Sequence, residues 1–198
     1  MQIGSWSSTR SIQCLSSYKH GLLLQCCKPS IELSLVFSSN QTSITMACKG
    51  QLEAEVELKS PAEKVWCTIR DSTTIFPIAL PNDYKSIQVL EGDGKSPGSV
   101  RLFTYAEGSP IVKVSTERTD SVDEVTKTFV YSVIGGDLMK YYKSFIGKIV
   151  VVPKGESSLV KWSCEYEKAS QDIPDPSIIK EFAVQNFVEI DHYLQSKA

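Results

Sequence analysis

Residues 159–194 read LVKWSCEYEKASQDIPDPSIIKEFAVQNFVEIDHYL, and their period changes half-way. Over Leu159–Lys168 the repeat is two. Val160, Trp162, Cys164 and Tyr166 share one face, and Lys161, Ser163, Glu165 and Glu167 share the other. Successive strand residues point to opposite sides of a sheet, so this is a strand with its apolar face inward. After Asp175-Pro176 the repeat lengthens to three and four. Ile179, Phe182, Ala183, Asn186, Phe187, Ile190, Tyr193 and Leu194 form one stripe of a long helix. About twenty residues at 1.5 Å each span roughly 30 Å, enough to cross a domain.

Upstream the strand period dominates. Tyr84–Glu91, Ser99–Ala106, Ile111–Val122, Lys127–Ile134 and Tyr142–Val152 read as strands. They are parted by Gly92-Asp93-Gly94, Glu107-Gly108-Ser109-Pro110 and Gly135-Gly136, and Pro153-Lys154-Gly155 parts the last of them from Leu159–Lys168. Links this short between consecutive strands make hairpins, hence an antiparallel meander. Further back, Leu52, Ala54, Val56 and Leu58 alternate with Glu53, Glu55 and Glu57 over Gln51–Leu58, a half-buried strand. Ser60-Pro61-Ala62-Glu63 predicts a helix start: Ser60 as N-cap, Pro61 at the first helical position, Glu63 closing a capping box. That helix should run to about Arg70. Asp71–Thr74 permits a second short helix, ended by Pro77 and Pro81. The order β-α-α-β6-α is that of an α+β domain. One helix about 10 Å wide cannot fill the concave face of seven curved strands. Either the sheet closes tightly or a hollow remains.

Composition narrows the function. The chain has 198 residues, 41% hydrophobic and 22% charged, with a net charge of −2. Nothing supplies the cationic field a nucleic-acid binder needs. No run of 18 apolar residues occurs, so no membrane span is expected. Two histidines and six scattered cysteines make no zinc set, and no metal or cofactor is expected. Cys48, Cys67 and Cys164 are odd in number and widely spaced, which predicts reduced thiols.

Residues 1–45 differ. They are rich in serine and carry Arg10, Lys19 and Lys28 against Glu32, a local charge of +2 that leaves −4 on the other 153 residues. Such a segment is expected to stay disordered and to be dispensable for the fold. It reads either as an organellar transit peptide or as an upstream extension, with Met46 the working start. The domain is then 46–198.

Residues 46–198 resemble the plant major latex protein family, within the Bet v I (pathogenesis-related class ten) superfamily. The runs that carry the resemblance are VELKSPAEKVW, IFPIALPNDYKSIQVLEGDGKSPGSVRLFTYAEGSP, YSVIGGDLMKYYKSF and IIKEFAVQNFVEIDHYL. The resemblance implies a helix-grip (START-like) fold: a seven-stranded antiparallel sheet wrapped around a long C-terminal helix and an apolar cavity. It also implies binding of small hydrophobic or amphipathic plant metabolites or hormones, a link to defence and stress, and a cytoplasmic monomer or weak dimer. A plastid is the alternative if residues 1–45 are a transit peptide.

Candidate cavity residues follow from face and resemblance together. Trp162 and Tyr166 come from the strand quoted first. Phe129 and Tyr131 share a face with Val133, and Phe145 with Gly147, Ile149 and Val151. Arg101, Phe103 and Tyr105 alternate on one strand, and Lys113, Ser115 and Glu117 on the next. Folding that hairpin pairs Tyr105 with Lys113, Phe103 with Ser115 and Arg101 with Glu117, and the resemblance puts the face inward. Ile179, Phe182, Ala183 and Asn186 form the inward stripe of the terminal helix. The loop at Gly92, Gly94 and Gly98 contains Gly-Lys-Ser. It lacks the glycine a phosphate-binding loop needs at Val89, and it joins strand to strand.

A binding module is the leading reading. A cavity enzyme that isomerises or condenses a plant metabolite is the alternative, with Glu117, Lys113 and Tyr131 as its candidate groups. In the family's norcoclaurine synthases the catalytic tyrosine follows the Gly-Gly turn, whereas Asp137 follows Gly136 here. A receptor role finds no gate-and-latch loop pair.

Overall fold

The alternation over Gln51–Leu58 becomes strand β1 (Lys49–Leu58), with its glutamates exposed and Val56 and Leu58 buried. Helices α1 (Ala62–Arg70) and α2 (Ser72–Ala79) follow. Then come β2 (Tyr84–Glu91), β3 (Val100–Tyr105), β4 (Val114–Asp123) and β5 (Thr128–Gly136). A 3-10 turn (Asp137–Lys140), β6 (Tyr142–Lys154), β7 (Ser157–Lys168) and α3 (Ser177–Ser196) complete the chain. The computed structural model describes residues 48–107, 109 and 112–197, so the expectations for residues 1–45 lie outside it.

The seven strands form one antiparallel sheet in the order β1-β7-β6-β5-β4-β3-β2. The meander runs consecutively from β2 to β7, and β1 adds beside β7. Register shifts interrupt β2–β3 at Tyr84/Ser86 and Val89/Glu91, β4–β5 at Thr116/Glu117 and Thr119/Ser121, and β6–β7 at Tyr142/Ser144. Each irregularity bends a strand and adds twist, which is how an open sheet curls. The β3–β4 register is the expected one: Arg101 faces Glu117, Phe103 faces Ser115, and the Tyr105 amide donates to Lys113 O at 2.9 Å.

Helix α3 packs against β1, α1 and α2. Its C-terminal half is anchored by Asp191, only 6% exposed, which accepts the backbone amides of Lys59 (3.0 Å) and Ser60 (2.8 Å). This bond corrects the capping box. Pro61, in extended conformation (ψ 144°), is the N-cap, and no side chain caps the helix. The Ser60 amide that Glu63 was expected to hold is taken by Asp191 instead. Glu63 turns outward to Lys127 Nζ at 2.5 Å. Pro77 also fails to end α2. A proline removes only its own amide, and the next turn closes with Leu80 N donating to Phe76 O at 2.8 Å. Gly135 and Gly136 extend β5 rather than forming the turn themselves.

The larger core cluster lies under α1 and the middle of the sheet, around Trp66, Val160, Trp162 and Phe145. A smaller one gathers Leu80, Tyr84, Ile87, Phe103 and Ile190. Cys48, Cys67 and Cys164 are free thiols. Among the described residues no helix is long and apolar enough to cross a membrane, and no group of metal-ligating side chains converges.

Candidate functional site: a cavity under the C-terminal helix

A cavity of about 120 Å³ lies between the sheet, α2 and the N-terminal half of α3. β3 supplies Arg101, Phe103 and Tyr105, and β4 supplies Ser115 and Glu117. β5, β6 and β7 supply Phe129 and Tyr131, Phe145, and Trp162; Ile179, Phe182, Ala183 and Asn186 close it from α3. Two of the expected residues, Tyr166 and Lys113, are not among them.

Tyr166 does not line the cavity. It is inward-facing and buried, but its ring lies over Gly50 on the neighbouring edge strand and packs edge-on against Tyr142, with centroids 5.7 Å apart. Position on a face is set by strand period. Position along the strand decides whether that face looks into the hollow or onto a filled end. Lys113 is a second correction: it is exposed, and only its backbone takes part in the hairpin.

Gly147 explains how Tyr131 reaches the cavity. The two residues are cross-strand partners, and a Cβ on Gly147 would sit 2.2 Å from Tyr131 Cζ. The missing side chain is the space the phenol ring occupies. Sequence reasoning placed Gly147 on one face with Phe145, Ile149 and Val151 but did not identify it as a seat for Tyr131. It also missed Tyr84, Ser72, Phe76 and Phe187. Tyr84 faces Tyr105 across β2–β3, so the pairing would have exposed it had the bulge beside it been legible.

Ten of the 23 lining residues are aromatic. Tyr84 packs against Phe76 and Tyr105 (centroids 5.3 Å each) and Phe182 (6.0 Å), and Tyr105 also meets Phe182 (6.0 Å). The Tyr84 hydroxyl donates to Asn186 Oδ1 at 2.5 Å, and Asn186 Nδ2 donates to Asp83 at 2.9 Å. That chain fixes the helix over the sheet.

The polar end is Arg101 and Glu117. Arg101 is 2% exposed, with its guanidinium carbon 5.1 Å and 5.2 Å from the ring centres of Phe103 and Phe129. Nη1 donates to Ser72 Oγ at 2.9 Å, Nη2 stands 3.9 Å from Glu117 Oε2, and Nε has no partner. At 3.9 Å the ion pair includes no hydrogen bond. Glu117 Oε1 has only a long contact from Ser115 Oγ, 3.5 Å. Burial therefore outweighs the attraction of Arg101 and pushes the Glu117 carboxyl up to about 7. Burial also raises the hydroxyls of Tyr84, Tyr105 and Tyr131, so they stay neutral donors.

The glycine loop stands apart from the cavity. Gly92, Gly94 and Gly98 have φ of 74°, 79° and 89°. The Asp93 carboxylate accepts the amides of Lys95 (2.8 Å) and Ser96 (2.7 Å) and the hydroxyls of Ser96 and Ser99. Those bonds, led by the Ser96 hydroxyl, hold it well below the usual carboxylate range. The amides that could have faced a phosphate already face an internal anion. Asp137, after the Gly-Gly pair, is likewise structural. It is paired with Lys140, accepts the amides of Lys113 (3.0 Å) and Val114 (3.1 Å), and is pulled down to about 2.

Residues 47–197 match the family model of the pathogenesis-related protein Bet v 1 family. The chain belongs to that family. It is 57% identical over 149 residues to MLP-like protein 423 of Arabidopsis thaliana, covering 75% of this chain and 96% of that one. Among solved structures it is similar to ginseng major latex-like protein 151 from Panax ginseng, with TM-score 0.66 and 26% identity over 74% of this chain and 98% of that one. It also shares the fold of norcoclaurine synthase from Thalictrum flavum, solved in complex with dopamine and hydroxybenzaldehyde: TM-score 0.60, 20% identity, 76% and 88% covered. The chain is thus a plant major latex protein-like member of the family.

Proposed function

We propose that the domain binds a small hydrophobic or amphipathic ligand, a plant hormone or secondary metabolite, in the cavity under α3, and acts in defence or stress responses. The observation that carries this reading is a hollow walled by aromatic and aliphatic side chains with Arg101 and Glu117 as its charged groups, the make-up of a ligand pocket. The cavity is smaller than the roughly 300 Å³ at which ordinary pockets begin. It suits one ring with a short tail, and larger ligands would have to displace Phe182. A ligand burying about 300 Å² of apolar surface gains roughly 7 kcal/mol, and association costs of at least about 4 kcal/mol leave micromolar or weaker affinity without polar anchors. The same reading makes the protein a cytoplasmic monomer or weak dimer, or a plastid protein if residues 1–45 act as a transit peptide. Native mass spectrometry of protein purified from its own tissue tests the proposal. A retained small molecule, recovered unchanged, supports it. A domain that remains empty and takes up no apolar probe overturns it.

One observation favours a second reading. Glu117, raised to about 7, titrates where a general acid–base works best, and Tyr131 stands beside it in the wall. A condensing or isomerising enzyme would use that pair. Lys113 is exposed and cannot contribute. Conversion of a bound ligand during incubation would select this reading.

A further inference from the structure

The polar end of the cavity is incompletely bonded, and the gap has a sign. Arg101 offers five N–H donors in a rigid fork. One of them is satisfied by the Ser72 hydroxyl at 2.9 Å. Nη2 is 3.9 Å from Glu117, outside hydrogen-bonding distance, and Nε is buried without a partner. The guanidinium carbon lies over the rings of Phe103 and Phe129, 5.1 Å and 5.2 Å from their centres, contacts that give its N–H edge no acceptor. Buried donors are rarely left orphaned, and a charged one least of all. A planar two-oxygen acceptor is the group that matches an arginine edge.

We propose, resting on the ligand-binding reading above, that Arg101 receives the carboxylate of a small aromatic or otherwise apolar acid whose ring lies among Tyr84, Tyr105 and Phe182. Glu117 decides when. Ionised, it competes for Arg101 and repels the incoming anion. Protonated, it leaves Arg101 as the net charge and can itself donate to the ligand. Glu117 is faced by Arg101 and Tyr105 from β3, Tyr84 from β2, Tyr131 from β5 and Ser115 from its own strand. The cavity-facing parts of α2 and α3 bring Ser72, Phe76, Ile179, Phe182, Ala183 and Asn186, none of which titrates. Asp83 lies behind Asn186. Across pH 6–8 Glu117 is therefore the group that changes charge at the site.

The test uses three probes that share one ring and tail: trans-cinnamate, cinnamyl alcohol and cinnamylamine, titrated calorimetrically into the full chain at pH 6, 7 and 8. Cinnamate should bind about tenfold or more tightly than the alcohol at pH 6, in the range of a charge-assisted hydrogen bond. That preference should shrink towards pH 8. Glu117→Gln should keep the pH 6 preference at pH 8. The double variant Arg101→Met/Glu117→Gln, which leaves no unpaired buried charge, should bind the alcohol and lose the preference. Equal binding of acid and alcohol at pH 6, tightest binding of the amine, or a preference that survives the double variant would overturn the carboxylate assignment while leaving the cavity reading intact. Binding of none of the three would overturn both.

Discussion

Replacing Glu117 by glutamine isolates the energetic cost of the charge at the cavity's polar end. The carboxyl is 12% exposed, has no good hydrogen bond, and titrates near 7 rather than at the ordinary 4.5. Below about pH 4.5 it is protonated in both the folded and the unfolded chain and costs nothing. Between 4.5 and 7 only the unfolded chain has lost the proton, so wild-type stability falls as pH rises. Above 7 the loss is complete. At 1.36 kcal/mol for each pH unit between the two midpoints, the full loss is about 3 kcal/mol. Glutamine mimics the protonated acid in shape and never ionises. The two proteins should therefore be nearly equally stable at pH 5. The variant should be about 3 kcal/mol more stable at pH 8, or roughly 6–12 °C in melting temperature for a domain of this size. Urea unfolding of both proteins at half-unit steps from pH 4.5 to 8.5 gives the difference directly, and every other carboxylate cancels in it. A difference that stays flat with pH would mean that Glu117 is solvated. A difference of opposite slope, with wild type gaining, would mean that the 3.9 Å approach to Arg101 outweighs burial.

Phe182→Ala should cost about 1–2 kcal/mol in chemical unfolding, below the roughly 3–5 kcal/mol of a tightly packed phenylalanine, because one side of the ring already meets empty space. Ala183→Trp should fill the same space, abolishing uptake of a fluorescent apolar probe while the far-ultraviolet dichroism is kept; unfolding instead would mean there is no hollow under α3. Gly147→Ala should destabilise by about 1–3 kcal/mol, since its methyl meets the Tyr131 ring. Adding Tyr131→Leu should recover part of that loss, and strict additivity would show the ring is not the obstacle. Asp191→Ala leaves the amides of Lys59 and Ser60 without their acceptor and should cost about 2–3 kcal/mol at pH 7. Burial pushes this carboxyl up, but the bonds from Ser60 and Lys59 together hold it below its ordinary value. Its contribution is therefore present at neutral pH and lost as pH falls through the folded midpoint, so the gap between variant and wild type should narrow in acid.

Strand faces were legible because a period of two states them outright. Val160, Trp162, Cys164 and Tyr166 are all buried, and the alternating charges of β1 are exposed. The β3–β4 pairing was legible because one turn fixes a whole register, and Arg101 had to meet Glu117 once Tyr105 met Lys113. What escaped were features made by residues far apart in the chain. Nothing near Ser60 announces that Asp191, 131 positions away, will take its amide in place of Glu63. Nothing around Gly50 or Gly147 shows that one seats Tyr166 away from the hollow and the other seats Tyr131 in it. A glycine in a strand is ambiguous until the side chain across the ladder is known. The direction of the Glu117 shift was also hidden. Sequence places a cation opposite it, which would lower the carboxyl, and only the 3.9 Å separation and the burial reverse the sign.

The two halves of α3 do different work, and their difference bears on how the cavity could be filled. From Asn186 onward the helix is fixed: Phe187 and Ile190 are buried, Asp191 clamps the Lys59–Ser60 turn, and Asn186 ties to Tyr84 and Asp83. Ahead of Asn186 its contacts are weaker. Ile179, Phe182 and Ala183 are only half-buried, and Ile178 is exposed. The apolar area that holds this segment down is small, because the cavity lies where its packing partners would be. Local opening needs the least free energy where buried contacts are fewest. The residues that roof the hollow are therefore the ones that can lift, while the anchored half keeps the domain folded. A ligand gains the contacts that the empty cavity denies to Phe182 and Ile179. Occupancy should then tighten the N-terminal half of the helix and leave the C-terminal half unchanged.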